Sequence, residues 1–304
     1  MSLVSVGTVA FDSIETPFGK AEMVVGGAAT YISLAASYFI KSQGIVSVVG
    51  DDFPALDLKH MQKRGINLDG LEIKAGEKSF YWSGKYHDNM NKRDTLVTDL
   101  NVLADFKPKV PMHLRESKYL MLGNLTPEVQ LKVIKQMKKR PKLIAMDTMN
   151  FWMDIAMDAL KKTIKQVDVL MINDEEARQL SGEYSLVKAA EAIHKMGPKY
   201  LVIKKGEHGA LLFAENKMFY APALPLAEVF DPTGAGDTFA GGFMGYIAKS
   251  DKINFENMKR AVIYGSAMAS FCVEAFSIDR LKTLKASELN QRVKKFEKLV
   301  AFSL

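Results

Sequence analysis

Short β-branched apolar runs alternate along the chain with stretches whose apolar residues recur every three or four positions. The runs predict strands near 3–7, 44–49, 118–122, 143–147, 167–172 and 200–204. The periodic stretches predict helices that begin near Gly27, Pro54, Pro127, Phe151, Asp174 and Ser185. Beyond the last of these strands the composition is helical, over 236–248, 255–275 and 286–300. Strand–helix alternation of this kind builds an α/β, doubly wound, mostly parallel central sheet with helices on both faces. Ligands of such sheets gather at the carboxyl ends of the strands.

The alternation fails between Leu71 and Thr98, where residues 78–86 (Lys-Ser-Phe-Tyr-Trp-Ser-Gly-Lys-Tyr) read as an aromatic strand. With the stretch 14–25 this segment predicts a small β flap, so the chain is expected to be one domain, 1–304, with a lid formed near 14–25 and 71–98. Phe80, Trp82 and Tyr86 share a face by the period of two. Such a face covers a substrate, meets a second subunit in a homodimer, or packs on its own core. No repeat, low-complexity tract or long linker marks a second domain.

Composition then removes several classes. Of 304 residues, 48% are hydrophobic and 25% charged, which is the balance of a chain with a packed core. The longest uncharged apolar runs, such as 30–40 and 261–273, fall short of the ~20 residues that cross a bilayer, so no membrane contact is expected. Cys272 stands alone, and the first residues lack the features of a secretion signal, which together point to the reducing cytoplasm. The five histidines are scattered, which disfavours zinc. A net charge of +6 permits anionic partners without requiring one. The densest basic cluster, Lys135, Lys138, Lys139, Arg140 and Lys142, follows an apolar stripe of Val129, Val133 and Met137. It reads as a solvated helix end that complements the helix dipole, rather than as a nucleic-acid surface.

Candidate chemistry concentrates in residues 230–243, Phe-Asp-Pro-Thr-Gly-Ala-Gly-Asp-Thr-Phe-Ala-Gly-Gly-Phe. Pro232 ends whatever precedes it, and the Gly234-Ala235-Gly236 turn opens directly into an apolar helix, which leaves backbone N–H groups pointing outwards. That geometry binds anions, because the helix dipole adds positive charge and glycine lets a phosphate approach the backbone. Asp237 beside it is placed to take a proton from a hydroxyl attacking a phosphoryl group, although an acidic residue in a first helical turn is also a common structural choice. Gly241 and Gly242 each cost about 1 kcal/mol in a helix relative to Ala, which signals close backbone packing or ligand approach. No Walker loop is present, and no Gly-x-Gly-x-x-Gly follows the first strand.

The string Asp-Pro-Thr-Gly-Ala-Gly-Asp-Thr-Phe, followed by Ala-Gly-Gly-Phe, resembles the carboxyl-terminal signature of the ribokinase-like (PfkB) carbohydrate and nucleoside kinases, and the order of elements fits that family's three-layer α/β/α fold along the whole chain. The resemblance implies a phosphotransferase that moves the γ-phosphoryl of ATP to a primary alcohol of a sugar, with a nucleoside as the alternative acceptor. It implies ATP and Mg2+ as cofactors, with K+ as an additional candidate. Within it, Asp237 corresponds to the general base, and Gly234, Ala235 and Gly236 to the amides that hold charge on the transferring phosphoryl. Thr233 lies with the nucleotide phosphates, and Asp231 resembles a position that holds a monovalent cation behind the loop. Asn173 and Glu176 match an Asn-x-x-Glu motif that organises Mg2+, its waters and the phosphates, although Asn173 before an acidic first turn is equally a good helix cap. Lys205, Gly206 and Gly209 resemble a turn near the nucleotide, with a plain hairpin turn as the alternative. At the amino end, Asp12 corresponds to a carboxylate that binds acceptor hydroxyls, and Gly26 and Gly27 to a diglycine where sugar oxygens meet backbone amides. Tyr31 stands where many sugar kinases of the family place Asn, so the acceptor pocket is expected to be shaped differently. A catalytically silent sugar- or nucleotide-binding relative and a nucleic-acid binder remain as other classes. The intact loop with Asp237 favours catalysis, because a sensor needs no base.

Overall fold

In the computed structural model, which describes residues 1–214 and 216–301, strands and helices alternate through most of the chain. The first part runs β1 (Leu3–Val6), β2 (Ala10–Thr16), β3 (Gly19–Gly26), α1 (Ala28–Ala36), β4 (Gln43–Gly50), α2 (Ala55–Lys63), β5 (Ile66–Lys74), β6 (Phe80–Tyr86) and β7 (Arg93–Asp99). The middle runs β8 (Tyr119–Leu122), α3 (Pro127–Gln136), β9 (Leu143–Asp147), α4 (Asn150–Ile155), α5 (Met157–Ile164), β10 (Val169–Asn173), α6 (Asp174–Ser181), α7 (Leu186–His194) and β11 (Tyr200–Lys204). The last part is β12 (Ala210–Ala214), β13 (Lys217–Ala221), α8 (Ala235–Ser250), α9 (Phe255–Cys272), α10 (Asp279–Thr283) and α11 (Ala286–Val300).

The main sheet has the order β13-β12-β11-β10-β9-β8-β1-β4-β5. It is parallel from β11 to β5, and β12 and β13 add an antiparallel edge. Its strands are buried on both faces, and successive residues serve different cores. Leu120, Leu122, Ile144, Met146 and Ile172 pack with Val133 of α3, Ile164 of α5 and Ile193 of α7. Their neighbours Tyr119, Met121, Leu143, Ala145 and Met171 pack with Ile32 of α1, Phe243 of α8 and Val262 of α9. Two-sided burial is why these strands read as unbroken apolar runs. The chain builds from β1 outward to β4 and β5, then returns to lay β8 to β11 on the other side, so the carboxyl end of β1 lies where the direction of winding reverses. A crevice forms at such a reversal.

A second, four-stranded sheet has the order β3-β2-β6-β7, with β2 and β6 parallel and the outer pairs antiparallel. It coincides with the expected flap at shifted limits, 10–26 and 80–99. Residues 71–74 belong to β5 at the edge of the main sheet, and β6 begins at Phe80. Glu15 on β2 ties its neighbours together through Lys20 at 2.7 Å and Lys85 at 2.8 Å. The basic cluster is divided among separate acidic partners, Lys138 with Glu116, Arg140 with Asp168 and Lys142 with Asp251. No helix among the described residues is long and apolar enough to cross a membrane.

Candidate active site

The start of α8 is shaped by what lies beneath it. Gly234 adopts the left-handed conformation with φ 73°, and a Cβ there would come within 2.4 Å of the Tyr31 ring, so both backbone and space call for glycine. The Ala235 amide donates to the Pro232 carbonyl at 3.1 Å. The amides of Gly234, Gly236 and Asp237 have no acceptor among the described residues. The amides left without a partner at this helix start are these three, while that of Ala235, expected among them, turns inward to close the loop.

Asp12 on β2 faces this loop. A Cβ on Gly26 would lie 1.9 Å from its Oδ2, and the backbone of Gly27 favours its charged form, so the diglycine makes room for Asp12. The amides that open α1 are already taken: Ala28 donates to Thr8 Oγ1 and Ala29 to the Thr8 carbonyl, each at 2.9 Å. The diglycine thus lies between Asp12 and the Thr8 backbone, whose carbonyl a Cβ on Gly27 would approach to 2.5 Å. Burial, and then the charges of Asp231 and Asp237, push Asp12 up to about 7. Tyr31 is 1% exposed, and its hydroxyl has no hydrogen-bond partner among the described residues. It faces Cys272, Asp12, Asp231 and Tyr86, and so forms the floor under Gly234.

A second group of charges stands at the ends of β9, β10 and β11. Lys204 Nζ lies 2.8 Å from Asp147 Oδ2. Asn173 and Glu176 form a reciprocal cap on α6, each backbone N–H donating to the other's side chain at 2.7 Å. Glu176 rises to about 7 through burial and the neighbouring Asp147, with Lys204 acting in the opposite direction. Asp237 also rises to about 7, through burial and Asp147, while Lys204 and Arg93 partly restore its charge. Burial opposes the Lys204 charge, but Asp147, Glu176 and Asp237 outweigh it and raise the ammonium's pKa. Neither Asp147 nor Lys204 was among the expected site residues. Their signal was a charged residue closing an otherwise apolar strand at its carboxyl end, Leu-Ile-Ala-Met-Asp and Tyr-Leu-Val-Ile-Lys.

The turn Lys205–Gly209 joins β11 to the antiparallel β12, with the Lys205 amide donating to the Gly209 carbonyl at 2.8 Å, so it is a hairpin turn that also borders the site. The flap reaches both sides of the cleft. Thr233 Oγ1 donates to the Tyr86 hydroxyl at 3.1 Å, and Asn91 Nδ2 donates to Glu207 Oε1 at 3.3 Å. Arg93 stands directly opposite Tyr86 in the β6–β7 pair, hence on the same face.

Glu176 keeps one carboxylate oxygen free of hydrogen bonds among the described residues, which suits a group that holds Mg2+ through waters. No cluster of three or more His, Cys, Asp or Glu among the described residues could hold a metal unaided. The two oxygens of Asp231 accept the Thr233 and Ser277 amides at 2.8 and 3.0 Å, which ties the loop to the segment after α9.

The chain and its fold have counterparts. The chain is 29% identical over 247 residues to a cytidine kinase of Thermococcus kodakarensis, covering 80% of this chain and 87% of that one. A nucleoside kinase of Methanocaldococcus jannaschii, an archaeal member of the ribokinase family, superimposes with a TM-score of 0.76 over 97% of this chain and 99% of that one, at 20% identity. An E. coli protein provisionally assigned as ribokinase II, solved in complex with ATP and Mg2+, superimposes with a TM-score of 0.80 over 97% of this chain and 99% of that one, at 18% identity. The family description "pfkB family carbohydrate kinase" matches residues 2–281, and the chain belongs to that family.

Proposed function

We infer that this protein transfers the γ-phosphoryl of ATP to a primary alcohol on the sugar ring of a ribonucleoside. The observation that carries this reading is the juxtaposition of Asp12 and Asp237, two carboxylates in one cleft of which the charge of Asp237 raises the proton affinity of Asp12, beside a group of unpaired amides. Asp12 would accept hydrogen bonds from ring hydroxyls, Asp237 would take the proton of the attacking hydroxyl, and the amides of Gly234, Gly236 and Asp237 would hold the charge of the phosphoryl in flight. When bound, Mg2+ would neutralise the nucleotide phosphates, with Asn173 and Glu176 oriented towards its waters. Thr233 and the turn at Lys205, Gly206 and Gly209 would border the nucleotide.

The nucleoside acceptor is supported by the similarity to a cytidine kinase and by the buried Tyr31, which occupies the place expected to contact a free sugar. A free sugar is the second reading, supported by the carbohydrate kinase description of the family. ATP consumption with cytidine, adenosine and inosine, set against ribose, fructose and 2-keto-3-deoxygluconate, separates the two. A nucleoside should give the highest kcat/KM, and Asp237→Asn should lower kcat on it by at least roughly 100-fold. A higher kcat/KM on a free sugar would reverse the acceptor assignment, and a fully active Asp237→Asn would remove the base.

A further inference from the structure

Lys204 is a charged side chain of the site to which the proposed function assigns no role. Its side chain is 17% exposed and is anchored by Asp147, whose own side chain is 8% exposed. Nζ lies 3.1 Å from where a Cβ on Gly236 would stand, so the ammonium is packed against the backbone whose amide is unpaired. An ammonium carries three N–H donors. One goes to Asp147, and the others have no acceptor among the described residues. A cation fixed by a buried carboxylate, with donors left over beside an amide cradle, is incomplete until an anion arrives.

We propose that Lys204 is a catalytic residue that, with the Gly236 amide, binds the oxygens of the transferring phosphoryl group, and that Asp147 is the positioning residue that aims it. The proposal rests on the kinase reading. In the step it assists, the acceptor O–H gives its proton to Asp237 and its oxygen forms a bond to the γ-phosphorus. The bond from that phosphorus to the β,γ-bridging oxygen breaks, and its electron pair stays on ADP. Lys204 transfers no proton. Its charge stabilises the phosphoryl oxygens while both P–O bonds are partial, an effect that is larger in the transition state than in bound ATP.

The test is the binding of Mg2+-ADP with and without aluminium fluoride, a mimic of the phosphoryl in transit, by calorimetry. In the wild type, aluminium fluoride should tighten binding. In Lys204→Met that gain should fall by roughly 100-fold, the scale of one lost oxyanion donor, with affinity for Mg2+-ADP alone unchanged. Lys204→Met leaves Asp147 buried and unpaired, so the decisive variant is Lys204→Met combined with Asp147→Asn, which removes both charges and should lose the gain equally. Lys204→Arg should keep part of it. A double variant that retains the wild-type gain, an equal loss with and without aluminium fluoride, or a wild type with no gain would each overturn the proposal. Absence of turnover on every nucleoside and sugar, with the wild-type gain intact, would instead remove the acceptor assignment alone, because this comparison needs no acceptor.

Discussion

Burial acts on Asp237 in two opposed ways. It raises the proton affinity that a general base needs, and it makes the ionised form costly to fold. Its pKa of about 7 arises from burial and then from Asp147, against the charges of Lys204 and Arg93, so kcat/KM should fall on the acid side with an inflection near pH 7. Asp12, raised to the same value, must also be ionised to accept acceptor hydroxyls, and its titration should make the limb steeper than that of a single group. The stability effect has the opposite sign. A carboxyl that binds its proton more tightly when folded stabilises the protein below its unfolded pKa of about 4, and that contribution is lost as pH rises through 7. Asp237→Asn should therefore be more stable than wild type at pH 8 by about 1–2 kcal/mol, a figure reduced for solvent screening, and the advantage should shrink at pH 5. Urea melts of both proteins at the two pH values decide this, and a variant no more stable than wild type at pH 8 would mean that Asp237 is well solvated. Cys272, by contrast, is buried, and that burial pushes its thiol up to about 12.

Among the elements, α8 shows how the site is held. Its glycines let two helices approach closely: a Cβ on Gly241 would lie 2.3 Å from the Ile32 carbonyl of α1, and one on Gly242 would lie 2.9 Å from Met268 Cγ of α9. The glycine pair was legible as a sign of close packing, but its partners lie in distant parts of the chain. The central strands were legible for a related reason, since burial on both faces leaves long apolar runs. β5 and β13 were not, because they lie at the edges of the main sheet and carry polar, partly exposed residues. The glycine loop and Asp237 were legible because their chemistry is local. The ion pair of Asp147 and Lys204 was not, because it joins residues brought together only by the adjacency of parallel strands. Gly241→Ala gains about 1 kcal/mol of helix propensity but overpacks backbone against backbone at about 1–3 kcal/mol. The clash should win, lowering the urea midpoint and, by displacing α8 from α1, also kcat. A midpoint equal to or above wild type would show that the two helices separate easily.

At the scale of the whole molecule, the flap joins the two halves of the cleft. Tyr86 meets Thr233 beside the unpaired amides, and Asn91 meets Glu207 on the β11–β12 turn, so one ribbon touches both sides of the cleft. The base of the flap is held differently, by Phe11, Val25 and Tyr81 packed into a core with α1 and α9. In the ribbon between, the outer strand β7 has no buried residue, and its pairing with β6 shifts register between Ser83 and Gly84. A packed base, an exposed outer strand and two polar contacts at the far end predict an element that opens from its tip. Each tip contact is a single hydrogen bond, worth about 0.5–1.5 kcal/mol, which corresponds to roughly 2–10-fold in an equilibrium constant. Tyr86→Phe keeps the ring and removes only the contact with Thr233. It should raise the acceptor KM by roughly 2–10-fold, with a smaller effect on the KM for ATP, and should speed amide hydrogen exchange across residues 80–99 while leaving the main sheet protected. Unchanged kinetics and unchanged exchange would show that strand packing alone keeps the flap in place.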